Sequence, residues 1–336
     1  METHINSVKA WFLAARPKTL AGAAAPVLVG AAVAWHEVFS LAFWSYIAST
    51  EEEIRQNWGI DMADILLFFL GPTLLCLLFA LVMQVDANFI NDYFDFKRGT
   101  DRADRLGPER ACAQGWISPG AMRWGIGITT ALGCIIGLLI LVWSAFITDS
   151  FPWGVLGAGV CCVVFCFLYT THLSYVGLGD MLVVVFFGIV PVGFTAYVAT
   201  GENWSVTLIL AGICMGLATD NLLMVNNYRD RHEDKMSGKR TIVVHIINIY
   251  GEEKGTDIAR QIYLWLGIAA AVLAAVVIHL ADTPLASLLM LIYQVLHIQT
   301  YRKLCTLEGK ELNLVLGATA RNIFIFGLLL AVGIAC

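Results

Sequence analysis

The feature that most constrains this chain is a series of long apolar runs. Each run has roughly 17–25 residues, which is the length that an α-helix needs to cross a bilayer. Hydrocarbon offers no hydrogen-bond partners to a backbone, so spanning segments of this kind fold as helices. Of the 336 residues, 58% are hydrophobic and 14% are charged, whereas soluble domains average about 25% charged residues. The sequence therefore predicts an all-α integral membrane protein that forms a single domain over residues 1–336.

Nine such runs predict nine transmembrane helices. They lie at about 18–36, 63–90, 121–147, 153–171, 179–199, 205–225, 260–280, 284–300 and 313–335. With the N-terminus in the cytoplasm, every Lys and Arg except Arg55 and Arg321 lies in a cytoplasmic segment, as the positive-inside rule requires. The C-terminus is then expected outside. Residues 8–16 predict an interfacial helix before the first span.

Two acidic stretches follow the second and sixth runs. NDYFDFKRGTD, from Asn91 to Asp101, is called the first motif, and NNYRDRHED, from Asn226 to Asp234, the second motif. Both contain Asn-(Asp/Asn)-Tyr-x-Asp. A solvated loop beside lipid headgroups would explain one such stretch. The repetition at the same end of two spans favours a functional site instead.

Helical spacing places the polar residues of each motif on one face. On the helix of the first motif these are Gln84 and Asn88, which precede the motif, and Asn91, Asp92 and Asp95 within it. In the second they are Asn226, Asn227, Asp230 and Asp234. Carboxylates four residues apart on a helix are neighbours and repel each other. Oxygen-rich groups of this kind favour hard cations such as Mg²⁺, whose coordination shell is usually completed by water and by the phosphates of a substrate.

Basic residues flank both motifs. Lys97 and Arg98 lie late in the first motif and Arg110 follows it, and Lys239 and Arg240 follow the second. Cations next to a carboxylate-bound metal suit a diphosphate, because they stabilise the charge of the leaving group. Positive-inside topology alone is the alternative for each of these residues. Together with the membrane spans, the pattern predicts a lipid diphosphate substrate and gives no indication of a nucleic-acid partner.

At these motifs the sequence resembles the UbiA superfamily of intramembrane prenyltransferases. The resemblance also includes ARPKTL before the first span, RLGPERACAQGWISP, LYT at 168–170 and GLGD at 177–180. It implies a nine-helix bundle with an active site on the cytoplasmic side, in the inner membrane of a bacterium.

Four segments are most similar to the 1,4-dihydroxy-2-naphthoate branch of menaquinone synthesis: FDFKRGTD, RLGPER, QGWI and SGKRT. The 4-hydroxybenzoate branch tends to show a DRxxD run followed by an RPLxSG-like segment. Here Asp101 comes six residues after Asp95 rather than four, and Arg110 stands where the RPL arginine would align. The resemblance therefore implies transfer of a polyprenyl group from polyprenyl diphosphate to 1,4-dihydroxy-2-naphthoate. Diphosphate and CO₂ would be lost and demethylmenaquinol formed.

The resemblance also implies roles for individual residues. Two Mg²⁺ ions would be held by Asn91, Asp95, Asn226, Asp230 and Asp234. Asp92 and Asp101 would act as catalytic residues that bind the metal directly or through water. The substrates would be bound by Asn88, Lys97, Arg110, Asn227, Lys239 and Arg240.

Other candidate residues have alternatives that the sequence leaves open. Arg16 and Lys18 reach a substrate or anchor the first span at the headgroups. Tyr169 faces the allylic cation or the acceptor, or is an ordinary interfacial tyrosine. Asp180 activates an acceptor hydroxyl or caps a helix.

Two further functions compete with the naphthoate reaction. Another aromatic acceptor, such as 4-hydroxybenzoate or homogentisate, would fit the same motifs. A cation-coupled transporter would also place acids within the membrane, but transporter sites lie near the bilayer midplane at broken helices. Both motifs lie at the ends of their spans, and this position favours an enzyme.

Overall fold

The computed structural model describes residues 6–40, 43, 62–99 and 106–336, and within these residues the chain is helical without β-strands. The helices are α1 (Ser7–Ala14), α2 (Pro17–Phe39), α3 (Met62–Arg98), α4 (Pro119–Thr148), α5 (Trp153–Leu173), α6 (Gly179–Thr200), α7 (Val206–Arg229), α8 (Arg231–Met236), α9 (Ile242–Tyr250), α10 (Glu252–Leu280), α11 (Met290–Thr306) and α12 (Leu312–Ala335). Asp101 and most of the 37–62 segment lie outside the described residues.

Eight helices among the described residues are long and apolar enough to cross a membrane: α2, α3, α4, α5, α6, α7, α10 and α12. The prediction of an all-α integral membrane protein is confirmed, but the count of nine spans is not. The predicted eighth span, 284–300, is divided between a 3₁₀ helix at Pro284–Leu289 and the 17-residue helix α11. Proline at the start of this segment provides no N–H to a preceding turn, which suits a helix beginning rather than a helix interior.

Small residues form the centre of the bundle. Ala25 of α2, Ala211 and Ala218 of α7, and Ala270 and Ala274 of α10 are all fully buried in one cluster. Lipid is as apolar as leucine, so helices in a membrane associate through close packing, which small side chains permit. These helices pack closely at the centre of the bundle.

Both motifs lie where a spanning helix ends. Helix α3 is continuous to Arg98, so the first motif is helical well beyond the predicted end at residue 90. Helix α7 ends at Arg229, and Asp230 leaves helical geometry with φ −91° and ψ 8° before α8 begins. The second motif is therefore divided between two helices, whereas the first motif is one continuous helix as far as Arg98.

Helix α9 was not predicted. Its N-terminus is capped by Thr241, whose hydroxyl accepts a hydrogen bond from the Val244 N–H at 3.3 Å. Val243, Val244 and Ile247 are buried, and Val243 and Ile247 pack in the cluster that contains Tyr228 near the end of α7. This helix therefore packs against the end of α7 that carries the second motif.

Candidate active site

A cavity of about 360 Å³ lies between α2, α3, α4, α5, α6 and α7. Its interior is apolar and extends along the bundle past Phe79 and Phe186 to Val155 and Val198. Polar side chains gather at one end, which we call the polar mouth: Arg16, Thr19, Gln84, Asn88, Asn91, Tyr169, Thr170 and Asn226. The mouth contains residues of both motifs, so the two motifs meet at one site.

The first-motif side of the mouth is a network of amides. The Asn88 side chain donates hydrogen bonds to the Ala15 carbonyl at 2.9 Å and to the Thr19 hydroxyl at 3.0 Å. The side-chain amide oxygen of Asn91 accepts a hydrogen bond from the Thr170 hydroxyl at 3.3 Å. These contacts tie α3 to α2 and α5. Arg16 also lines the cavity, whereas Lys18 is exposed outside the lining.

Asp92 and Asp95 have partners other than these amides. Asp92 accepts hydrogen bonds from the backbone N–H groups of Ala111 and Cys112, each at 2.9 Å. Asp95 forms an ion pair with Arg110 at 3.2 Å. Asp92, Asp95 and Arg110 are all buried. The asparagines therefore line the cavity, while Asp92 and Asp95 hold the 110–112 turn.

Arg229 organises the second motif, and the sequence analysis did not single it out. Its guanidinium donates to the two oxygens of Asp230 at 2.6 and 2.7 Å and to the Asn226 side chain at 3.1 Å. It also donates to Asn313 of α12 at 2.9 Å. The only sequence signal for this role is its position between two predicted ligands. Asn227 is buried but does not line the cavity.

Asp234 lies near the paired residues of the second motif. Burial raises the pKa of Asp234 to about 6, although the Lys239 ammonium, at 3.6 Å, lowers it. Asp230 raises the same pKa through like-charge repulsion. Lys239 is partly buried, whereas Lys97 and Arg240 are exposed. A divalent cation beside Asp234 would offset both the cost of burying its negative charge and the repulsion from Asp230.

Tyr169 lies within electrostatic range of four acidic side chains. Asp180, Asp220, Asp234 and Asp95 all act on its phenol electrostatically. Asp180 and Asp220 each have one buried carboxyl oxygen without a hydrogen-bond partner among the described residues. Leu178 occupies the N-cap position of α6 and Asp180 lies in the first turn, so Asp180 is not the cap that one alternative predicted.

Two membrane-embedded charged residues have structural partners. Asp86 of α3 accepts hydrogen bonds from Thr129 at 2.5 Å and Thr130 at 2.8 Å on α4. Arg321 of α12 donates to Asn322 at 3.0 Å. Asp86 thus joins two helices, and neither residue lines the cavity.

Comparison with known proteins gives three consistent results. The 1,4-dihydroxy-2-naphthoate octaprenyltransferase of Haemophilus influenzae is 31% identical over 288 residues, which is 80% of each chain. The enzyme of the same name from Escherichia coli is 31% identical over 248 residues, covering 73% of this chain and 71% of the relative. A UbiA homologue from Archaeoglobus fulgidus, solved with GPP and Mg²⁺, has the same fold: the TM-score is 0.57 at 16% identity, over 97% of this chain and all of that one.

Residues 58–311 match the UbiA prenyltransferase family. This stretch includes the whole of both motifs and every helix from α3 to α11. Because the match covers well over half of the sequence, and relatives above 30% identity cover most of it, the chain belongs to the UbiA prenyltransferase family.

Proposed function

We propose that this protein transfers a polyprenyl group from polyprenyl diphosphate to 1,4-dihydroxy-2-naphthoate, with loss of diphosphate and CO₂. The observation that carries the proposal is the cavity, which joins an apolar interior to a polar mouth made by both motifs. The apolar interior suits the first part of an isoprenoid tail, and the polar mouth suits its charged head. The names of the Haemophilus and Escherichia relatives support the choice of acceptor.

The oxygen donors in and next to the mouth suit Mg²⁺. Among the described residues there is no cluster of three or more Asp, Glu, His or Cys side chains that could hold a metal ion. Mg²⁺ is commonly held by one or two carboxylates and by the phosphates of a substrate, so such a cluster is unnecessary. Five residues would hold two such ions together with the diphosphate: Asn91, Asp95, Asn226, Asp230 and Asp234. When bound, the metal neutralises charge that develops on the leaving diphosphate.

Side chains around the mouth would assist ionisation of the donor. Lys239 and Arg240 lie beside the second motif, and Arg110 lies beside the first. Their positive charges stabilise diphosphate as its bond to the allylic carbon breaks and the electron pair moves to oxygen. The apolar walls exclude water from the resulting cation. Asp92 would act indirectly, by holding the turn that presents Arg110.

The acceptor would bind next to Tyr169. The unpartnered oxygens of Asp180 and Asp220 are suited to accept hydrogen bonds from the two ring hydroxyl groups. The ring carbon that bears the carboxylate then attacks the allylic cation. A carbon–carbon bond forms, and the bond to the carboxylate breaks. Its electron pair returns to the ring as CO₂ departs, and no net proton is transferred.

The topology of the site follows from the distribution of charge. We place the polar mouth on the cytoplasmic side of a bacterial inner membrane, with the N-terminus inside and the C-terminus outside. The quinol product would leave into the bilayer between the helices that line the apolar interior of the cavity.

A product assay tests this proposal. The purified protein is mixed with a polyprenyl diphosphate, Mg²⁺ and either 1,4-dihydroxy-2-naphthoate or 4-hydroxybenzoate, with and without a chelator. Mass spectrometry and CO₂ release are the readouts. We expect a prenylated naphthoquinol and CO₂, both lost on chelation. Product from 4-hydroxybenzoate alone would overturn the acceptor, and product that persists under chelation would overturn the metal.

A further inference from the structure

Tyr175 lies just after α5, and its ring contacts one cationic side chain at the first motif and one that follows the second. The Arg98 guanidinium carbon lies 4.8 Å from the centre of the Tyr175 ring, and the Lys239 ammonium nitrogen lies 5.7 Å from it. Both distances are within the range of cation–π attraction. Arg98 ends α3, which carries the first motif, and Lys239 follows the second motif. One aromatic ring therefore joins the two halves of the site.

The same segment is fixed to the first motif by hydrogen bonds. Arg98 donates to the Thr170 carbonyl at 2.8 Å and to the Thr171 carbonyl at 2.6 Å. These residues belong to a π-helical turn at Tyr169–Leu173, and π-turns often mark functional sites. Thr170 in turn donates to Asn91, a predicted metal ligand. Movement of this turn would therefore displace the first motif.

The segment is also fixed to the second motif. Gly177 has φ +85°, and a Cβ at this position would lie 2.7 Å from the Arg240 carbonyl oxygen. Only glycine tolerates both this conformation and this approach. The backbone next to Lys239 thus lies directly against the turn after Tyr175. Lys239 itself pairs with Asp234 at 3.6 Å.

We propose that residues 169–177, which we call the bridge, fix the spacing between the two motifs, and that Tyr175 is its central positioning residue. The Tyr175 ring orients Lys239 and holds the second motif at a set distance from Asn91. The bridge would thereby set the separation of the groups that bind the diphosphate. This inference rests on the proposed function for its substrate but not for its geometry.

Limited trypsin cleavage tests the geometry without any substrate. Tyr175→Leu keeps the apolar volume and removes the ring, so cleavage after Lys239 and Arg240 should become about tenfold faster as the loop opens more often. Tyr175→Phe keeps the ring face and should stay within about twofold of the wild type. Tyr250→Leu is the matched control, because Tyr250 makes the same kind of contact with Lys254 at 5.5 Å, away from the cavity. It should accelerate cleavage after Lys254 only.

Steady-state kinetics test the consequence for the diphosphate. With Tyr175→Leu we expect the KM for polyprenyl diphosphate to rise about tenfold, with a smaller change in kcat and in the KM for the acceptor. Tyr175→Phe and Tyr250→Leu should leave both constants near the wild-type values.

Several results would overturn the proposal. If Tyr175→Leu is cleaved at the wild-type rate, the Tyr175 ring does not restrain the loop that contains Lys239 and Arg240. Faster cleavage with an unchanged KM would mean that the bridge stabilises the loop without positioning diphosphate. Equal losses in the Phe and Leu variants would assign the effect to the hydroxyl rather than to the ring face. A wild-type protein without product would overturn the proposed function, and with it the diphosphate role of the bridge, while the cleavage comparison still decides the geometry.

Discussion

The two motifs share a sequence pattern but use their carboxylates differently. In the first motif, Asp92 and Asp95 bind groups 15 to 20 positions later in the chain, in the 110–112 turn. In the second motif, Asp230 binds its immediate neighbour Arg229. The acids of the first motif therefore build tertiary structure as well as the site, whereas Asp230 is held locally. Equivalent substitutions should affect folding at one motif and chemistry at the other.

The largest expected effect separates chemistry from folding at the second motif. Asp230→Asn keeps an oxygen for Arg229 but removes the negative charge. Turnover should fall on the order of 10³-fold, because the carboxylate that would hold the metal beside the leaving diphosphate is lost. The thermal unfolding temperature in detergent should stay near that of the wild type, since Arg229 retains Asn226 and Asn313. Full activity in this variant would remove Asp230 from the site.

The matching substitution at the first motif should reverse the pattern. Asp92→Ala leaves the buried N–H groups of Ala111 and Cys112 without their acceptor. Each such group costs about 1–3 kcal/mol, so the unfolding temperature should drop clearly. Thermal unfolding followed by tryptophan fluorescence measures this. An Asp92→Ala protein as stable as Asp230→Asn would contradict the distinction between the motifs.

A double-mutant cycle tests the buried pair of the first motif. Asp95→Asn and Arg110→Gln should each destabilise the protein, and the double variant should lose less than the sum. We expect a coupling energy on the order of 1–2 kcal/mol, because both side chains are buried and 3.2 Å apart. The free energy of unfolding of all four proteins is the measurement. Additive losses would mean that the pair contributes nothing.

The smallest effects concern the cations. Lys239→Ala should raise the KM for polyprenyl diphosphate about tenfold, because Lys239 is partly buried beside Asp234 and its charge is weakly screened. Lys97→Ala should change this KM by less than about twofold, since Lys97 is exposed and solvent screens its charge. Equal effects would show that burial does not distinguish the two lysines. The ratio of the two KM values, measured at low and at physiological salt, is the readout.

Much of the architecture follows from the sequence because it depends on local patterns. Apolar runs indicate the all-helical membrane fold, and the motifs indicate the family, and both predictions are confirmed. The spacing also placed Asn91 and Asn226 correctly at one site. The metal ligands and catalytic roles remain predictions.

What the sequence could not reveal depends on contacts between distant segments. Helical spacing gives the direction of Asp92 but not the turn that occupies it, which comes 19 residues later. Arg229 looked like an ordinary basic residue at a membrane edge, and only its partners identify its role. Tyr175 carries no motif at all. The predicted eighth span, 284–300, was not confirmed for a different reason, because an apolar run does not reveal where a helix begins.

The length of α3 bears on where the first motif lies relative to the membrane. Its 37 residues form one unbroken helix, about 55 Å long at 1.5 Å per residue, whereas the hydrocarbon layer is about 30 Å thick. A helix of this length would extend beyond the lipid tails at one end or both. Under the proposed function, a water-soluble acceptor and a lipid-soluble donor would meet near the C-terminal end of this helix, which carries the first motif.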